Sequence, residues 1–254
     1  MDFPRGAPDE TAVDRPNPHD WSLLHETPVL LGVVKPAGLL SVPGRGPAKA
    51  DCLVARVQAR FPEARIVHRL DMATSGVMVL ARTAEAHREL GWQFERREVA
   101  KRYVAIVAGH VKADEGEIDA PLRKALVEEP RHMVDPVHGK AASTRWRVVE
   151  RTTLGEVRDA IEAAGRPAAS LVDPNAEATT PVTRLDLTPL TGRSHQLRVH
   201  LAHLGHAVLG DEFYAPAKVL AAAPRLLLHA EELLVRDPGA GDRIRLHAAS
   251  DWSD

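Results

Sequence analysis

Apolar and polar positions follow one another along the chain in blocks that predict short strands separated by helices. Compact runs rich in β-branched residues predict strands at 29–34, 77–81 and 101–107. Alternation of apolar with polar residues predicts half-buried strands at 143–149 and 182–190. Strands of both kinds are expected in one protein when a sheet has a covered centre and exposed edges.

Apolar residues at helical spacing predict helices over 51–61 and 84–97, and 155–164 is predicted as a short acidic helix. Further apolar runs near the C-terminus predict closing strands, at 226–230, 233–235 and 243–246. The segment 110–140 contains three spaced prolines and is predicted as loop.

The stretch 68–76, HRLDMATSG, places charged residues at the junction between two apolar runs. If the chain stays extended there, side chains two apart share a face. Arg69 and Asp71 then point one way, and His68 and Leu70 point the other way. One face is expected to pack, while the other presents a cation beside an anion.

Length and composition indicate one large domain or two subdomains that share a core. The chain has 254 residues and 44% hydrophobic content, which is enough to form a core. Residues 1–25, rich in proline and acid near their start, are predicted as a mobile tail, and 26–254 as the folded domain. Within that domain, 151–181 is predicted as an insertion because large apolar residues are scarce in it.

Charge and cysteine content bear on the partner and the compartment. The single cysteine, Cys52, excludes an internal disulfide and indicates a reducing cytoplasm, and no apolar run is long enough for a membrane span. The formal charge of −2 disfavours a nucleic-acid partner weakly. Without residues 1–20 and the predicted insertion, however, the chain carries 28 basic and 25 acidic side chains, which permits a phosphate-binding groove.

A second dense motif lies at 191–201, TGRSHQLRVHL. Ser194 is a predicted N-cap, and the buried stripe of the helix is expected to comprise Leu197, Leu201 and Leu204. Arg198 then lies at the edge of that stripe and is able to reach a cleft.

The same segment is rich in histidine, at positions 195, 200, 203 and 206. These residues fall on several faces of one helix, and neither a second cysteine nor an HExxH pattern accompanies them. No metal site is therefore predicted, and the absence of glycine-rich phosphate loops argues against kinases and dehydrogenases.

The remaining candidates are one carboxylate, Asp71, with Arg69, Arg198, Tyr103 and Lys35 from separate motifs. They form a catalytic cleft in one interpretation. In the other, Asp71 caps a turn and Arg69 makes a surface ion pair worth at most about 1 kcal/mol. The residues taken alone leave both interpretations open.

The ordered motifs resemble those of the RluA-type RNA pseudouridine synthases. The similarity rests on the two dense motifs together with KPAGL at 35–39, KRY at 101–103, GHAVLGD at 205–211 and LHA at 228–230. GLLSVPGR at 38–45 and APRL at 223–226 are most similar to the RluA branch of the family. Three features depart from the family pattern: Val34, Ala207 and the insertion, which is expected to alter the rim that contacts RNA.

The resemblance implies an α+β pseudouridine synthase fold, a largely antiparallel mixed sheet flanked by helices in two subdomains around a central catalytic cleft. It implies isomerisation of uridine in structured RNA, either a tRNA anticodon stem-loop or a 23S rRNA hairpin or both, by base flipping. No cofactor or metal is required. The S4 RNA-binding domain that many relatives carry is not expected in this chain.

The resemblance also implies a role for each candidate residue. Asp71 maps to the catalytic aspartate, either as a nucleophile on the ribose or as a base at C2′. Arg198 maps to the arginine that pairs with it, and Tyr103 to the tyrosine that stacks on the uracil. Arg69 maps to the side chain that fills the vacated base stack. The weaker RNA-contact candidates are Lys35, Arg193, Arg145 and Arg147.

Two rival functions follow from the same residues. A non-catalytic RNA-binding or chaperone protein would use the same cleft, although binding alone does not need an acid among phosphate-seeking cations. A zinc hydrolase built on the histidine segment is a more distant rival. A monomer without an obligate protein partner is expected.

Overall fold

The structure is a computed structural model that describes residues 20–126 and 130–252. The strands and helices follow in chain order: β1 Ser22–Glu26, β2 Leu30–Lys35, α1 Leu53–Gln58, β3 Arg65–Ile66, β4 Ser75–Ala81, α2 Ala84–Glu95, β5 Ala100–Ala108, β6 Glu115–Asp119, β7 Leu122–Lys124, β8 His132–Val134, β9 Ser143–Thr153, α3 Leu154–Ala163, β10 Pro181–Pro189, α4 Gln196–His203, α5 Ala217–Ala221, β11 Leu228–Arg236 and β12 Arg243–His247.

The chain divides into two units. The first runs to Lys101 and takes in Ala230–Ala248, and the second comprises Arg102–His229 and the segment from Ala249 onward. Every strand pair whose register is defined is antiparallel. Helices and largely antiparallel strands together give the α+β class that the sequence predicts.

The first unit is organised around β4, whose seven residues are all buried. β2 pairs with β4 on one side and with β1 on the other, and β11 neighbours β4 and pairs with β12. Ala86 and Leu90 of α2 pack on apolar side chains of these strands, among them Val77, Val79 and Leu233. A strand buried on both faces explains why 77–81 is continuously apolar in sequence.

The second unit contains a strand ladder in the order β5, β10, β9, β6. Tyr103 of β5 lies opposite Leu187 of β10, which in turn lies opposite Trp146 of β9. β7 and β8 form a separate two-stranded hairpin. Helix α4 begins six residues after the end of β10, so the ladder positions the start of the motif at 191–201.

Most predicted elements are confirmed within a residue or two. The predicted strands at 29–34, 77–81, 101–107 and 182–190 correspond to β2, β4, β5 and β10. The strand predicted at 143–149 extends to Thr153, and the predicted helices correspond to α1, α2 and α3, with α1 ending earlier than expected at Gln58. The closing strands correspond to β11 and β12.

Several predictions are wrong. The segment 110–140 contains β6, β7 and β8 rather than loop alone, because these short strands bury few apolar side chains and give no periodic signal. Residues 22–25 of the predicted tail belong to β1, while residues 1–19 are outside the described residues. The N-cap of α4 is His195 rather than Ser194.

The predicted insertion is a long connection between two paired strands. Thr153 lies opposite Pro181, so 154–180 replaces a hairpin turn. α3 begins with a capping box formed by Thr153 and Glu156, and its Ile161 is buried, as are Leu171 and Val172 further along the connection. The connection enters β10 at Pro181, whereas the 191–201 motif follows the other end of β10 at Pro189. The length of the strand therefore separates the two by about 25 Å.

Gly76 shows why a glycine follows Thr74 and Ser75. Its φ is +122°, and a Cβ there would lie 2.6 Å from the backbone nitrogen of Ala230 and closer still to its carbonyl oxygen. The close approach of β4 to β11 at this point therefore excludes any side chain. No helix among the described residues has the length and apolar character needed to cross a membrane.

We expect Gly76→Ala to lower the free energy of unfolding by about 3 kcal/mol or more, because backbone atoms cannot yield to the new methyl group. Gly165→Ala is the matched control, since Gly165 also has a positive φ of +71° but nothing within 4 Å of its Cβ position. The control is expected to cost about 1 to 2 kcal/mol from backbone strain alone. Urea unfolding of both variants measures the difference, and equal losses would contradict a steric clash.

Candidate active site

Asp71 lies in a turn between β3 and β4 that a second loop holds in place. The Thr74 N–H donates to the Asp71 carbonyl at 3.1 Å and closes the turn. Gly38 N–H donates to the Met72 carbonyl at 2.8 Å, and the Ser41 hydroxyl donates to the Leu70 carbonyl at 2.8 Å. The hydrogen bonds flank Asp71 on both sides, so the backbone that carries its half-buried carboxylate is fixed.

The side chain of Lys35 connects the same two loops. Its side chain is fully buried, and Nζ donates to the carbonyls of Pro36 and Leu39 at 2.8 Å and of Met72 at 3.0 Å. Three carbonyls match the three N–H donors of an ammonium group. Burial lowers the pKa of Lys35 to about 7, and the nearby Asp71 carboxylate opposes that shift.

This environment corrects the prediction that Lys35 contacts RNA. An amine with no exposed surface and three carbonyl partners does not reach a phosphate. Lys35 instead fixes the loop that carries Asp71, and it supplies a positive charge close to that carboxylate.

The junction is not a strand, yet its alternation of faces is confirmed. β3 ends at Ile66, but Arg69 is exposed while Leu70 is buried. The His68 ring stacks on Phe94 with centroids 4.4 Å apart, and its Nε2 accepts the Val79 N–H at 3.1 Å. Burial, and the nearby Lys101 cation to a smaller extent, lower the pKa of His68 to about 3, so the ring is neutral.

In the second unit, Arg198 forms a buried ion pair with Asp211. Its Nε donates to Oδ2 at 2.8 Å and its Nη2 donates to Oδ1 at 2.6 Å. Arg198 is 2% exposed and Asp211 0% exposed. Helix α4 is buried on all sides from Gln196 to Leu201, so Arg198 is not at the edge of an apolar stripe as predicted. A bidentate pair fixes the plane of the guanidinium as well as its position.

Gln196 holds the loop that precedes Arg198. Its Oε1 accepts the Thr191 hydroxyl at 2.6 Å and the Arg193 N–H at 3.0 Å. Its Nε2 donates to the Ser143 carbonyl at 2.9 Å and to the Thr144 hydroxyl at 3.0 Å, at the start of β9. One amide side chain thus connects the 191–193 turn to the strand ladder.

The remaining candidates of this unit lie around the same end of the ladder. Tyr103 is half-buried on β5. Arg145 and Arg147 project from the exposed face of β9, but each already pairs with an acid, Glu117 at 3.0 Å and Asp186 at 2.8 Å. Arg193 is exposed and its Nε donates to the Ala141 carbonyl at 3.0 Å. RNA contacts by these arginines stay predictions.

The histidines of the second motif have protein partners of different kinds. His200 contacts the Thr144 hydroxyl and the Ala120 carbonyl, both at 2.9 Å, and His206 contacts the Ala108 carbonyl at 2.8 Å. His195 contacts the Tyr214 hydroxyl at 2.7 Å. In residues 20–126 and 130–252, no three histidine, cysteine, aspartate or glutamate side chains converge in a way that could hold a metal ion.

Comparisons with known proteins identify the family. A family model described as RNA pseudouridylate synthase matches residues 29–203, a span that includes Lys35, Arg69, Asp71, Tyr103 and Arg198. The chain belongs to the RNA pseudouridylate synthase family. It is therefore an isomerase that acts on uridine in RNA, and the alternative of a non-catalytic RNA-binding protein is not favoured.

Curated relatives agree with this placement. The chain is 44% identical over 230 residues to the dual-specificity RNA pseudouridine synthase RluA of Yersinia pestis, covering 91% of this chain and 99% of that protein. It is 43% identical to the protein of the same name from Escherichia coli K12, covering 91% and 93%. The RluA-type resemblance of the sequence motifs is confirmed.

Solved structures agree on the fold. The human RNA pseudouridylate synthase domain containing 1 protein matches with a TM-score of 0.71 at 24% identity, over 93% of this chain and 86% of the other. The human domain containing 4 protein matches with a TM-score of 0.63 at 23% identity, over 89% and 87%. The pseudouridine synthase fold is thus confirmed.

Several supporting residues have no role in the sequence-based predictions. Asp211 and Gln196 both lie inside the recognised motifs, but their contacts are with distant residues or with loops whose path the sequence does not show. Ser41 follows the KPAGL motif and likewise bonds to a residue 29 positions away. The sequence offered one signal for these residues, which is that each is polar and lies in or beside a dense motif. A buried polar group near it would need a hydrogen-bond partner of this kind.

We expect His68 to make the fold sensitive to acid. An unfolded histidine takes up a proton near pH 6.5, whereas folded His68 resists protonation down to about pH 3. The unfolded state therefore binds more protons between pH 6.5 and 3, and stability falls as the pH falls through that window. His68→Gln, which keeps an acceptor for Val79, is expected to remove about 1.4 kcal/mol of this loss per pH unit.

Urea unfolding at pH 4 to 8 measures the effect. Wild type and variant are expected to diverge below about pH 6.5 and to run parallel above pH 7, which serves as the internal control. Parallel curves across the whole range would show that His68 is not held neutral by the fold.

Proposed function

We propose that this chain isomerises uridine to pseudouridine in structured RNA, with Asp71 as the catalytic carboxylate. The substrate is a tRNA anticodon stem-loop, a 23S rRNA hairpin, or both. The two-substrate assignment is supported by relatives named dual-specificity RNA pseudouridine synthases, at 41% to 44% identity. The proposal places the reaction in the cytoplasm, where these RNAs are. It also holds that the protein acts as a monomer, with all the named side chains coming from one chain.

The observation that carries the proposal is the fixed environment of Asp71. A carboxylate that only caps a turn needs neither a buried lysine beside it nor a second loop bonded on both sides of it. Pre-organisation of this kind is typical of a reacting group, because misplacement by even 1 Å lowers a rate strongly.

The reaction breaks the bond between N1 of uracil and C1′ of ribose and forms a new bond between C5 and C1′. The C5 proton leaves and N1 gains a proton, so no redox step and no co-reactant is involved. Asp71 acts either as the nucleophile at C1′ or as the base that removes the C2′ proton. Both routes need an ionised carboxylate.

The proposal assigns Arg198 as the partner of Asp71 and Tyr103 as the residue that stacks on the uracil and assists removal of the C5 proton. Asp211 binds the Nε and Nη2 edge of the guanidinium and so fixes its plane. Arg69 is exposed, as a side chain that replaces the flipped base must be.

We expect Asp71→Asn to abolish pseudouridine formation and to leave RNA affinity within about threefold of wild type, since the amide fills the same space without the negative charge. Release of tritium from RNA labelled at uridine C5 measures turnover, and filter binding measures affinity. Asp51→Asn, which neutralises an exposed carboxylate paired with Arg56, is the control and should remain active. Pseudouridine formation by the Asp71 variant at the wild-type rate would contradict the assignment of Asp71 as the catalytic carboxylate.

We expect Arg198→Met to lower turnover by far more than it lowers RNA affinity. The substitution also leaves Asp211 buried without its cation, at a cost of about 3 to 5 kcal/mol. The double variant Arg198→Met with Asp211→Asn is therefore the control, because the amide removes the unpaired charge while its oxygen can still accept the N–H groups of Phe213 and Tyr214. Stability should recover while turnover does not, and a joint recovery would assign Arg198 a structural role only.

A further inference from the structure

The Tyr214 hydroxyl joins two elements of the second unit that are distant in sequence. It accepts the backbone N–H of His132, in β8, at 2.9 Å. It lies 2.7 Å from Nδ1 of His195, the residue before α4. A hydroxyl has one hydrogen to donate and two lone pairs, so the Tyr214 hydroxyl can bond to the backbone of His132 and to the His195 ring at the same time.

His195 has a backbone conformation that needs such support. Its φ is +56°, in the left-handed region that non-glycine residues rarely adopt, and its side chain makes no capping hydrogen bond to α4. The ring stacks on Phe213 with centroids 5.6 Å apart and planes 11° apart. Strained conformations of this kind persist where the surroundings hold them, and they cluster at functional sites.

The turn that carries Tyr214 contacts Arg198 on its edge and on its face. The Asp211 carboxylate binds the guanidinium edge, and its Oδ1 also accepts the N–H groups of Phe213 at 2.9 Å and Tyr214 at 3.2 Å. The guanidinium carbon lies 5.1 Å from the ring centre of Phe213 and 5.3 Å from that of Tyr214. Any tilt of these rings therefore moves the surface on which Arg198 rests.

We propose that Tyr214 is a positioning residue for the reaction, and that its hydroxyl holds the two rings and His195 so that Arg198 keeps one orientation. The proposal rests on the assigned role of Arg198. It adds that the β7–β8 hairpin is tied to the same hydroxyl through His132, so the hairpin and the catalytic arginine share one support.

Tyr214→Phe tests the proposal, because phenylalanine keeps the ring and removes only the hydroxyl. The single-turnover rate of pseudouridine formation at saturating RNA is expected to fall about tenfold, with the dissociation constant of the RNA within threefold of wild type. A rate within twofold of wild type would overturn the proposal, and so would a loss that lies wholly in RNA affinity.

Thr183→Val is the matched control. The Thr183 hydroxyl also accepts one backbone N–H, from Val111 at 3.0 Å, and donates one bond, to Gly109 at 2.7 Å. It is fully buried towards the opposite end of β10 from the 191–201 motif. Both variants are expected to lower the melting temperature similarly, but only Tyr214→Phe lowers the rate. Equal rate losses would reduce Tyr214 to a structural role.

A double-mutant cycle with Arg198→Lys shows whether Tyr214 acts through Arg198. Loss of the hydroxyl is expected to change the rate less than twofold in the Arg198→Lys background, because lysine has no planar group to orient. A further tenfold loss there would contradict the proposal. A wild-type rate for Arg198→Lys alone would instead overturn the assigned role of Arg198.

If Tyr214→Phe does not fold, the His195 side of the bond gives the same test. Asparagine at position 195 tolerates a positive φ and has a side chain that can form a hydrogen bond. Alanine has neither property. The proposal predicts that Ala lowers the rate at least fivefold more than Asn at equal RNA affinity. Equal rates for these two variants would overturn it.

Discussion

A cation can be buried only when its donors find acceptors, and this constraint shapes the surroundings of one candidate residue in each unit. Lys35 in the first unit is fully buried, and three carbonyls from two loops surround its amine. Arg198 in the second unit is almost fully buried, and Asp211 binds it with two hydrogen bonds. The loops around Asp71 and the turn at 211–214 have the conformations that satisfy these two charges.

The consequence for chemistry is rigidity rather than stability. A buried charge with its partners often contributes little net free energy compared with an apolar residue of similar size. It does specify one arrangement, because any displacement leaves a donor or an acceptor without its partner. Asp71 and Arg198 are therefore attached to supports with few alternative positions, which suits the catalytic roles that we propose for them.

The sequence predicts the parts of this protein that depend on apolar patterns. β4 is recognisable because its buried residues form a continuous apolar run, and β10 because apolar and polar residues alternate along it. β6 is not, since only Ile118 is buried and its pairing with β9 depends on backbone groups. The motifs give the identity of Asp71 and Arg198, but their supports, Ser41 and Asp211, depend on contacts that only the folded chain defines.

The sequence and the structure lead to different roles for Lys35. In sequence, a lysine beside a Pro-Ala-Gly turn in an RNA-modifying enzyme indicates a phosphate contact. In the structure, the turn folds back so that the carbonyls of Pro36 and Leu39 face the amine. A phosphate is a stronger partner than a carbonyl for a solvated lysine, but this amine has no path to solvent. The nearby Asp71 carboxylate opposes the lowering of the Lys35 pKa that burial causes.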